Sequence, residues 1–281
     1  MDIIRTVKDM QKRQEAIRLS GKRIAFVPTM GFLHKGHESL LVEGRKRGDD
    51  LVLSIFVNPT QFGPSEDLST YPRNIEGDLA IAEKNGVDAV FLPDSADIYL
   101  PGYQTSVNLD LLPGFLCGLS RPGHFKGVAT VVSKLFNIVK PHVAIFGEKD
   151  FQQLAVIRRM TMDLNFDIEI VGAPTVRETD GLAMSSRNAY LSAEQRRTAL
   201  CLIESLRNAR DLVRNGLTNP EEIIRRSSDI ISSYPETSVD YLALCDPLTL
   251  ESVTVITGPV LFAMAVKVGN TRLIDNMILE P

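Results

Sequence analysis

At 281 residues, with 44% hydrophobic and 23% charged side chains, the chain has the size and composition of a globular protein with one large or two modest domains. A formal net charge of −4 argues against non-specific nucleic-acid binding, though a local basic pocket for small anions stays possible. Cys117, Cys201 and Cys245 are scattered and form no CxxC pair, no apolar stretch approaches the roughly 20 residues of a bilayer span, and the N-terminus lacks a signal-peptide core, so a cytoplasmic location with no membrane partner is expected.

The first part of the chain alternates short β-rich runs with helical patterns, as βαβ units do. Strands are expected at Arg23–Val27, Leu51–Val57, Ala89–Leu92, Val143–Phe146 and Asp167–Ile170. Runs such as Val52-Leu53-Ser54-Ile55-Phe56-Val57 are almost continuously apolar, which suits parallel strands covered on both faces. Helices are expected at about Ser39–Arg47, Ile75–Asn85, Lys126–Val139 and Phe151–Leu164. In the third, Val128, Val131, Val132, Leu135, Phe136 and Val139 make one core-facing stripe.

From Pro174 to Leu191 the pattern breaks into a polar loop, and a helix opens at Ser192 with Glu194 and Gln195 in its first turn. A polar helix near Asn219–Ser233 follows, then β-rich runs at Val239–Cys245, Val253–Ile256, Val260–Val266 and Thr271–Ile274. The fold class is therefore α/β, with a parallel sheet carrying helices on both faces and a smaller C-terminal α+β domain. The boundary is expected near Val176, giving domains 1–176 and 177–281 with a ligand cleft between them.

The most informative segment is Pro28-Thr29-Met30-Gly31-Phe32-Leu33-His34-Lys35-Gly36-His37, between an apolar strand and an amphipathic helix. A helix N-terminus offers unpaired N–H groups and a positive dipole end to an anion. Two of the chain's four histidines stand in this one turn. The imidazoles could donate to a phosphate chain, satisfy backbone groups of the turn, or contribute to a metal site. The last reading finds no further His or Cys nearby in sequence.

Other strand ends carry polar groups of a kind that read small ligands. Asn58 and Gln61 follow the second strand, where open α/β sheets bind ligands, and amides suit the hydroxyls and carboxylate of a small acid. Gly147-Glu148-Lys149-Asp150 ends another strand. Lys149 is a candidate phosphate cation, and Asp150 could accept from ribose or cap the following helix. In Met184-Ser185-Ser186-Arg187, two hydroxyls and a guanidinium could clamp phosphates, or simply form a polar loop. The turn Arg121–Gly127 could contact substrate anions or cap its helix, and His142 reads as a bystander at a strand entrance.

The segments PTMGFLHKGH, SIFVNPTQFG, YPR, SRPGHFKGVATVVSKLFNIVKP, FGEKDFQQ, DGLAMSSRN and TRLIDN, in this order, resemble the pantoate–β-alanine ligase family over essentially the whole chain. The His-x-Gly-His turn is itself similar to that of nucleotidyltransferase-type adenylating enzymes. Thr60 stands where the family often has Met, and His142 where Asp is usual.

The resemblance implies a Rossmann-like domain with a smaller closing domain, usually in a homodimer. It also implies an ATP-dependent, Mg²⁺-assisted condensation of pantoate with β-alanine to pantothenate, AMP and pyrophosphate through a pantoyl adenylate. By the same resemblance, Met30, Gly31, Phe32, Leu33, His34, Lys35, Gly36 and His37 border ATP. So do Gly147, Glu148, Lys149, Asp150, Val176, Met184, Ser185, Ser186 and Arg187. Of these, His34, His37, Lys149 and Arg187 carry the catalytic roles. Gln61 and Gln153 would hold pantoate, Asn58 would lie near the acyl-transfer site, and no metal ligand is assigned. Two other readings stay open: a nucleotidyltransferase that leaves the nucleotide on its product, and a nucleotide-sensing protein without turnover.

Overall fold

The computed structural model describes residues 1–64 and 66–281. In chain order its elements begin with β1 (Asp2–Ile4), α1 (Val7–Leu19), β2 (Ile24–Thr29), α2 (Lys35–Arg47), β3 (Asp50–Ile55), α3 (Ile75–Lys84) and β4 (Ala89–Phe91). The short α4 (Ser95–Ile98) and α5 (Cys117–Ser120) follow, then α6 (His124–Val139), β5 (Val143–Gly147), α7 (Phe151–Asp163) and β6 (Glu169–Ala173). The remainder is α8 (Ala193–Thr198), α9 (Cys201–Arg214), α10 (Pro220–Ser232), β7 (Thr237–Cys245), β8 (Val260–Val268) and β9 (Thr271–Leu279).

The contacts divide the chain into two units. The first comprises Met1–Leu109, Arg121–Glu148 and Gln153–Pro174, and the second Asp110–Ser120, Lys149–Gln152 and Thr175–Pro281. Two short stretches ahead of residue 176 thus group with the C-terminal unit, which a single boundary in the sequence does not express.

The first unit holds a six-stranded parallel sheet in the order β1-β4-β3-β2-β5-β6. From β2 the chain runs outward through β3 and β4, then returns to place β5 on β2's other side, pairing Ala25 with Val143 and Phe26 with Ala144. The carboxyl ends of β2 and β5 therefore flank the topological switch point, where open α/β sheets bind ligands. Because side chains alternate along a strand, Val27, Leu53, Val90 and Ile145 pack with Leu40, Leu41 and Ala82 of α2 and α3. On the other face Phe136 of α6 meets Phe146 at 6.5 Å and Phe166 at 5.6 Å, both edge-on. Phe26, Leu41, Leu53 and Ile145 are wholly buried, each contributing roughly 1.5–3 kcal/mol.

β1 and α1 lie outside the expected elements. Only Met10 and Gln14 of α1 are buried, so its apolar stripe is thin. The helix is anchored instead by Arg13, whose guanidinium makes two 2.8 Å bonds to the buried Asp50 at the head of β3. β6 begins at Glu169, two residues later than expected. His142 is a strand-entrance residue, accepting the Ile24 N–H at 2.9 Å on Nδ1.

In the second unit β7, β8 and β9 form an antiparallel sheet with β8 central. Leu202, Leu206 and Val213 of α9 and Ile223 and Ile231 of α10 pack with Phe262, Met264 and Val266 of β8. Ser192 and Gln195 form a reciprocal capping box at the start of α8, as their spacing suggests. The run Val253–Ile256 is irregular backbone rather than a strand, following an isolated bridge at Ser252. The three cysteines are buried and none is in a disulfide, and burial pushes the Cys201 and Cys245 thiols up to about 12. Among the described residues no helix is long and apolar enough to cross a membrane.

Candidate active site

At the end of β2 the chain turns sharply. Gly31 has φ +83° and Phe32 has φ +52°, two successive left-handed residues. A Cβ on Gly31 would also stand 2.9 Å from Asp78 Oδ2 and 3.0 Å from Ile55 Cγ2, so only glycine fits. This conformation aims the Phe32 and Leu33 amides at one point, a concavity suited to a negative charge. Asp78 of α3 fills it, accepting from Phe32 N at 2.9 Å and from Leu33 N at 2.6 Å. Burial raises the Asp78 pKa, and the two amides only partly offset that effect.

His34 and His37 then cap α2 reciprocally. His34 Nδ1 accepts the Gly36 N–H at 3.1 Å, and His37 Nδ1 accepts the His34 N–H at 3.3 Å. The rings lie 4.1 Å apart between centroids. An Nδ1 that accepts carries no proton, so in each neutral imidazole the proton sits on Nε2. The turn therefore makes both rings Nε2 donors. The same capping engages backbone amides expected to be open to an anion: Gly36 N is taken by His34, and Phe32 N and Leu33 N by Asp78. Because capping uses Nδ1 and places the proton on Nε2, the structural reading of this turn is compatible with the phosphate-contact one.

Asn58 and Gln61 lie past β3, in and beside a 3-10 turn at Pro59–Gln61. Both are nearly inaccessible, at 1% and 8%. Asn58 Nδ2 donates to Gln61 Oε1 at 3.1 Å and to Gly127 O at 3.2 Å. Gln61 Nε2 points at Met30 Sδ, 3.1 Å away, linking this turn to the end of β2. Its carbonyl accepts from His124 Nδ1 at 2.8 Å, and Arg121 holds His124 Nε2 at 3.1 Å. Arg121 is in turn bound by Glu66 through 2.8 and 2.5 Å contacts. Burial would raise the Glu66 carboxyl, but Arg121's hydrogen bonds and charge hold it below its ordinary value. The Arg121 turn thus buttresses Gln61 with its charge already matched.

Gly147 ends β5 with nothing within 4 Å of where a Cβ would stand, and Glu148 begins the 3-10 turn that leads into α7. Gln153 on α7 is half-buried.

The second unit supplies the remaining candidates. The Lys149 carbonyl accepts from Asn276 Nδ2 at 2.9 Å, its side chain is half-buried, and Asp150 is exposed. Val176 to Met184 is a small hairpin rather than an open loop: Met184 N donates to Val176 O at 3.0 Å, and Arg177 pairs with Ala183. Arg177 ties the hairpin to β9 through 2.7 and 3.0 Å bonds to Asp275, whose side chain is 1% exposed. Ser185 caps a 3-10 turn at Ser186–Tyr190 by accepting Arg187 N at 3.3 Å. Ser186 is buried and Arg187 half-buried.

Asp78, Tyr99 and Glu66 carry no site role in the sequence reading, and Thr60 and Gly127 appear there without their contacts to Asn58. An acid in a helix's first turn reads as a dipole partner, which hid Asp78. Tyr99 and Gly127 join the Asn58 turn only through the fold. Among the described residues no group of three or more His, Cys, Asp or Glu side chains could hold a metal ion.

An open parallel sheet with a paired-imidazole turn at its switch point places the chain among the doubly wound α/β proteins that act at the carboxyl ends of their strands. The family model described as pantoate-beta-alanine ligase matches residues 2–278, and the chain belongs to that family. It is 60% identical over 281 residues to a pantothenate synthetase of Desulfatibacillum aliphaticivorans, covering 100% of both chains. The crystal structure of pantothenate synthetase from Thermus thermophilus is similar with a TM-score of 0.95 at 42% identity, again over 100% of both chains. The pantoate-beta-alanine ligase of Francisella tularensis, complexed with beta-gamma ATP and beta-alanine, matches with a TM-score of 0.79 at 32% identity, over 99% of this chain and 97% of that one. The chain is accordingly an enzyme, a ligase that joins pantoate to β-alanine to form pantothenate.

Proposed function

We propose that this ligase activates pantoate with ATP as an enzyme-bound acyl adenylate. A pantoate carboxylate oxygen attacks the α-phosphorus, the bond to the bridging oxygen breaks, and pyrophosphate leaves. The neutral amine of β-alanine then attacks the acyl carbon, the carbon–oxygen bond to AMP breaks, and the amine releases a proton. The substrate is itself the nucleophile, so the protein's task is to position the reactants and offset charge.

The observation that carries this reading is the reciprocal cap of His34 and His37, which fixes two Nε2 donors beside the switch point. The relative from Francisella tularensis, held with beta-gamma ATP and beta-alanine, supports it. In this scheme His37 and His34 donate to oxygens that gain charge as pyrophosphate departs. Lys149, Ser185, Ser186 and Arg187 offset the same charge, and Gly147, Glu148, Asp150, Val176 and Met184 serve the nucleotide. Gln61 and Gln153 bind pantoate. Asn58 acts by holding Gln61, since its own amide is spent within the fold.

Magnesium would accompany ATP in this scheme. We propose that the ion enters on the nucleotide, coordinated by phosphate oxygens and water. A cytoplasmic homodimer is the proposed working form. The deciding experiment is exchange of labelled pyrophosphate into ATP with pantoate present and β-alanine omitted. Pantoate-dependent exchange is expected. Its absence, or formation of ADP in place of AMP, overturns the scheme.

A further inference from the structure

The direction in which Gln61 faces is set by residues that do not face the substrate. Asn58 Oδ1 accepts three donors: Tyr99 Oη at 2.7 Å, Thr60 Oγ1 at 3.0 Å and Thr60 N at 3.4 Å. Turning this amide over would press its NH2 against the Thr60 N–H, which can only donate, and its oxygen against Gly127 O, which can only accept, while the Tyr99 and Thr60 hydroxyls reinforce the observed orientation by donating to Oδ1. Nδ2 must therefore lie on the other side, where two acceptors, Gln61 Oε1 and Gly127 O, await it. With its oxygen committed, Gln61 has one orientation left, with Nε2 directed at Met30 Sδ. A thioether is a weak acceptor, so that NH2 keeps the capacity to donate to a carboxylate or hydroxyl oxygen.

Tyr99 is itself held in place. Its ring meets Tyr103 edge-on at 4.9 Å, and Lys134 Nζ lies 5.7 Å from its centroid and 5.3 Å from that of Tyr103. The two hydroxyls also touch, Thr60 Oγ1 to Tyr99 Oη at 3.1 Å. Thr60 thus supplies a second hydroxyl to the same acceptor.

We infer that Tyr99, assisted by Thr60, is a positioning residue that acts through Asn58 to lock Gln61 with its NH2 turned to the organic-acid substrate. The inference rests on the proposed role of Gln61 in binding pantoate. Two buried amides in series have several orientations of similar shape, and only one offers a donor to an anion. The Thr60 N–H and the Gly127 carbonyl select it, and the hydroxyl pair holds Asn58 Oδ1 in that place.

The test compares Tyr99→Phe, Thr60→Val, the paired variant and Gln61→Ala in steady-state kinetics. The paired variant should raise the KM for pantoate roughly 10-fold, the effect of about one lost hydrogen bond, with the KM for ATP within about twofold. Each single variant, which leaves one hydroxyl on Asn58, should show less than half of the paired effect on a logarithmic scale. An unchanged pantoate KM in the paired variant, or a uniform loss across pantoate, ATP and kcat, overturns the inference. As a second route, Asn58→Asp places an acceptor against Gln61 Oε1 and should reverse the Gln61 amide, raising the pantoate KM in the same selective way. If Gln61→Ala keeps the original pantoate KM, the role of Gln61 falls and the relay with it. If Gln61→Ala loses pantoate while the paired variant keeps it, only the relay falls.

Discussion

Asp78 Oδ1 accepts the Leu33 amide at 2.6 Å, so a carboxylate on α3 governs the turn that presents His34 and His37 on α2. The two residues are 45 positions apart in the chain. Their bond links the strand's exit to a neighbouring helix and resists relaxation of the left-handed pair Gly31-Phe32.

Asp78→Asn should therefore uncouple activity from folding. It offers one acceptor in place of two and leaves a buried amide unpaired, which costs about 1–3 kcal/mol locally. Pyrophosphate exchange should fall while the fold is kept. The pH dependence has a definite sign. Burial raises the Asp78 pKa above its ordinary 3.8, so its stabilising contribution is full below that value and declines as pH rises through the folded-state value. The melting-temperature advantage of the natural protein over the Asn variant should thus be largest in acid and shrink toward neutrality. A constant advantage in thermal scans would show that Asp78 does not titrate in this way.

Substitutions at His34 should separate capping from chemistry. Asn can still accept the Gly36 amide, so His34→Asn should exceed His34→Ala in stability by about 1 kcal/mol. Both remove the Nε2 donor and should slow pyrophosphate exchange by on the order of 10²–10³, as should His37→Ala. Exchange at the natural rate by His34→Asn would confine that residue to the cap.

Gly127→Ala tests the close approach of α6 to the Gln61 turn. A Cβ there would stand 2.4 Å from Thr60 O and 2.7 Å from Gln61 Cα. Both are backbone atoms and cannot swing aside. A loss of roughly 1–3 kcal/mol in denaturant unfolding is expected, together with weaker pantoate binding. An unperturbed variant would mean that α6 and this turn are free to separate.

Arg177→Ala should leave Asp275 charged and buried without its partner. Removing one member of a buried pair costs about 3–5 kcal/mol, and Arg177 also holds the Gly181 carbonyl at 3.2 Å. Denaturant unfolding measures the loss. A change below about 1 kcal/mol would assign the Val176–Met184 hairpin its order from elsewhere.

Central strands were legible because parallel strands buried on both faces are written as nearly continuous apolar runs, as in Leu51–Ile55, where Ser54 is the one polar residue. β1 and α1 were not, since a three-residue edge strand and a helix with two buried residues leave little periodic signal. Val253–Ile256 misled for the opposite reason. Its apolar residues read as a strand, yet Val255 is 55% exposed and only Ile256 is buried, its N–H bonded to Thr218 O. The paired histidines were visible from local spacing, because an N-terminal cap is made within four residues. The groups that aim them and aim Gln61 were not visible. Asp78 and Tyr99 reach their partners across more than 40 residues, by sheet order and helix packing rather than by any local pattern.

Burial makes Cys201 and Cys245 poor targets for thiol labelling. With two thiols held near 12 by burial, maleimides at neutral pH have little thiolate to attack there. A single cysteine introduced at an exposed position such as Leu248, which is 84% accessible, should take a fluorophore in preference to these two thiols.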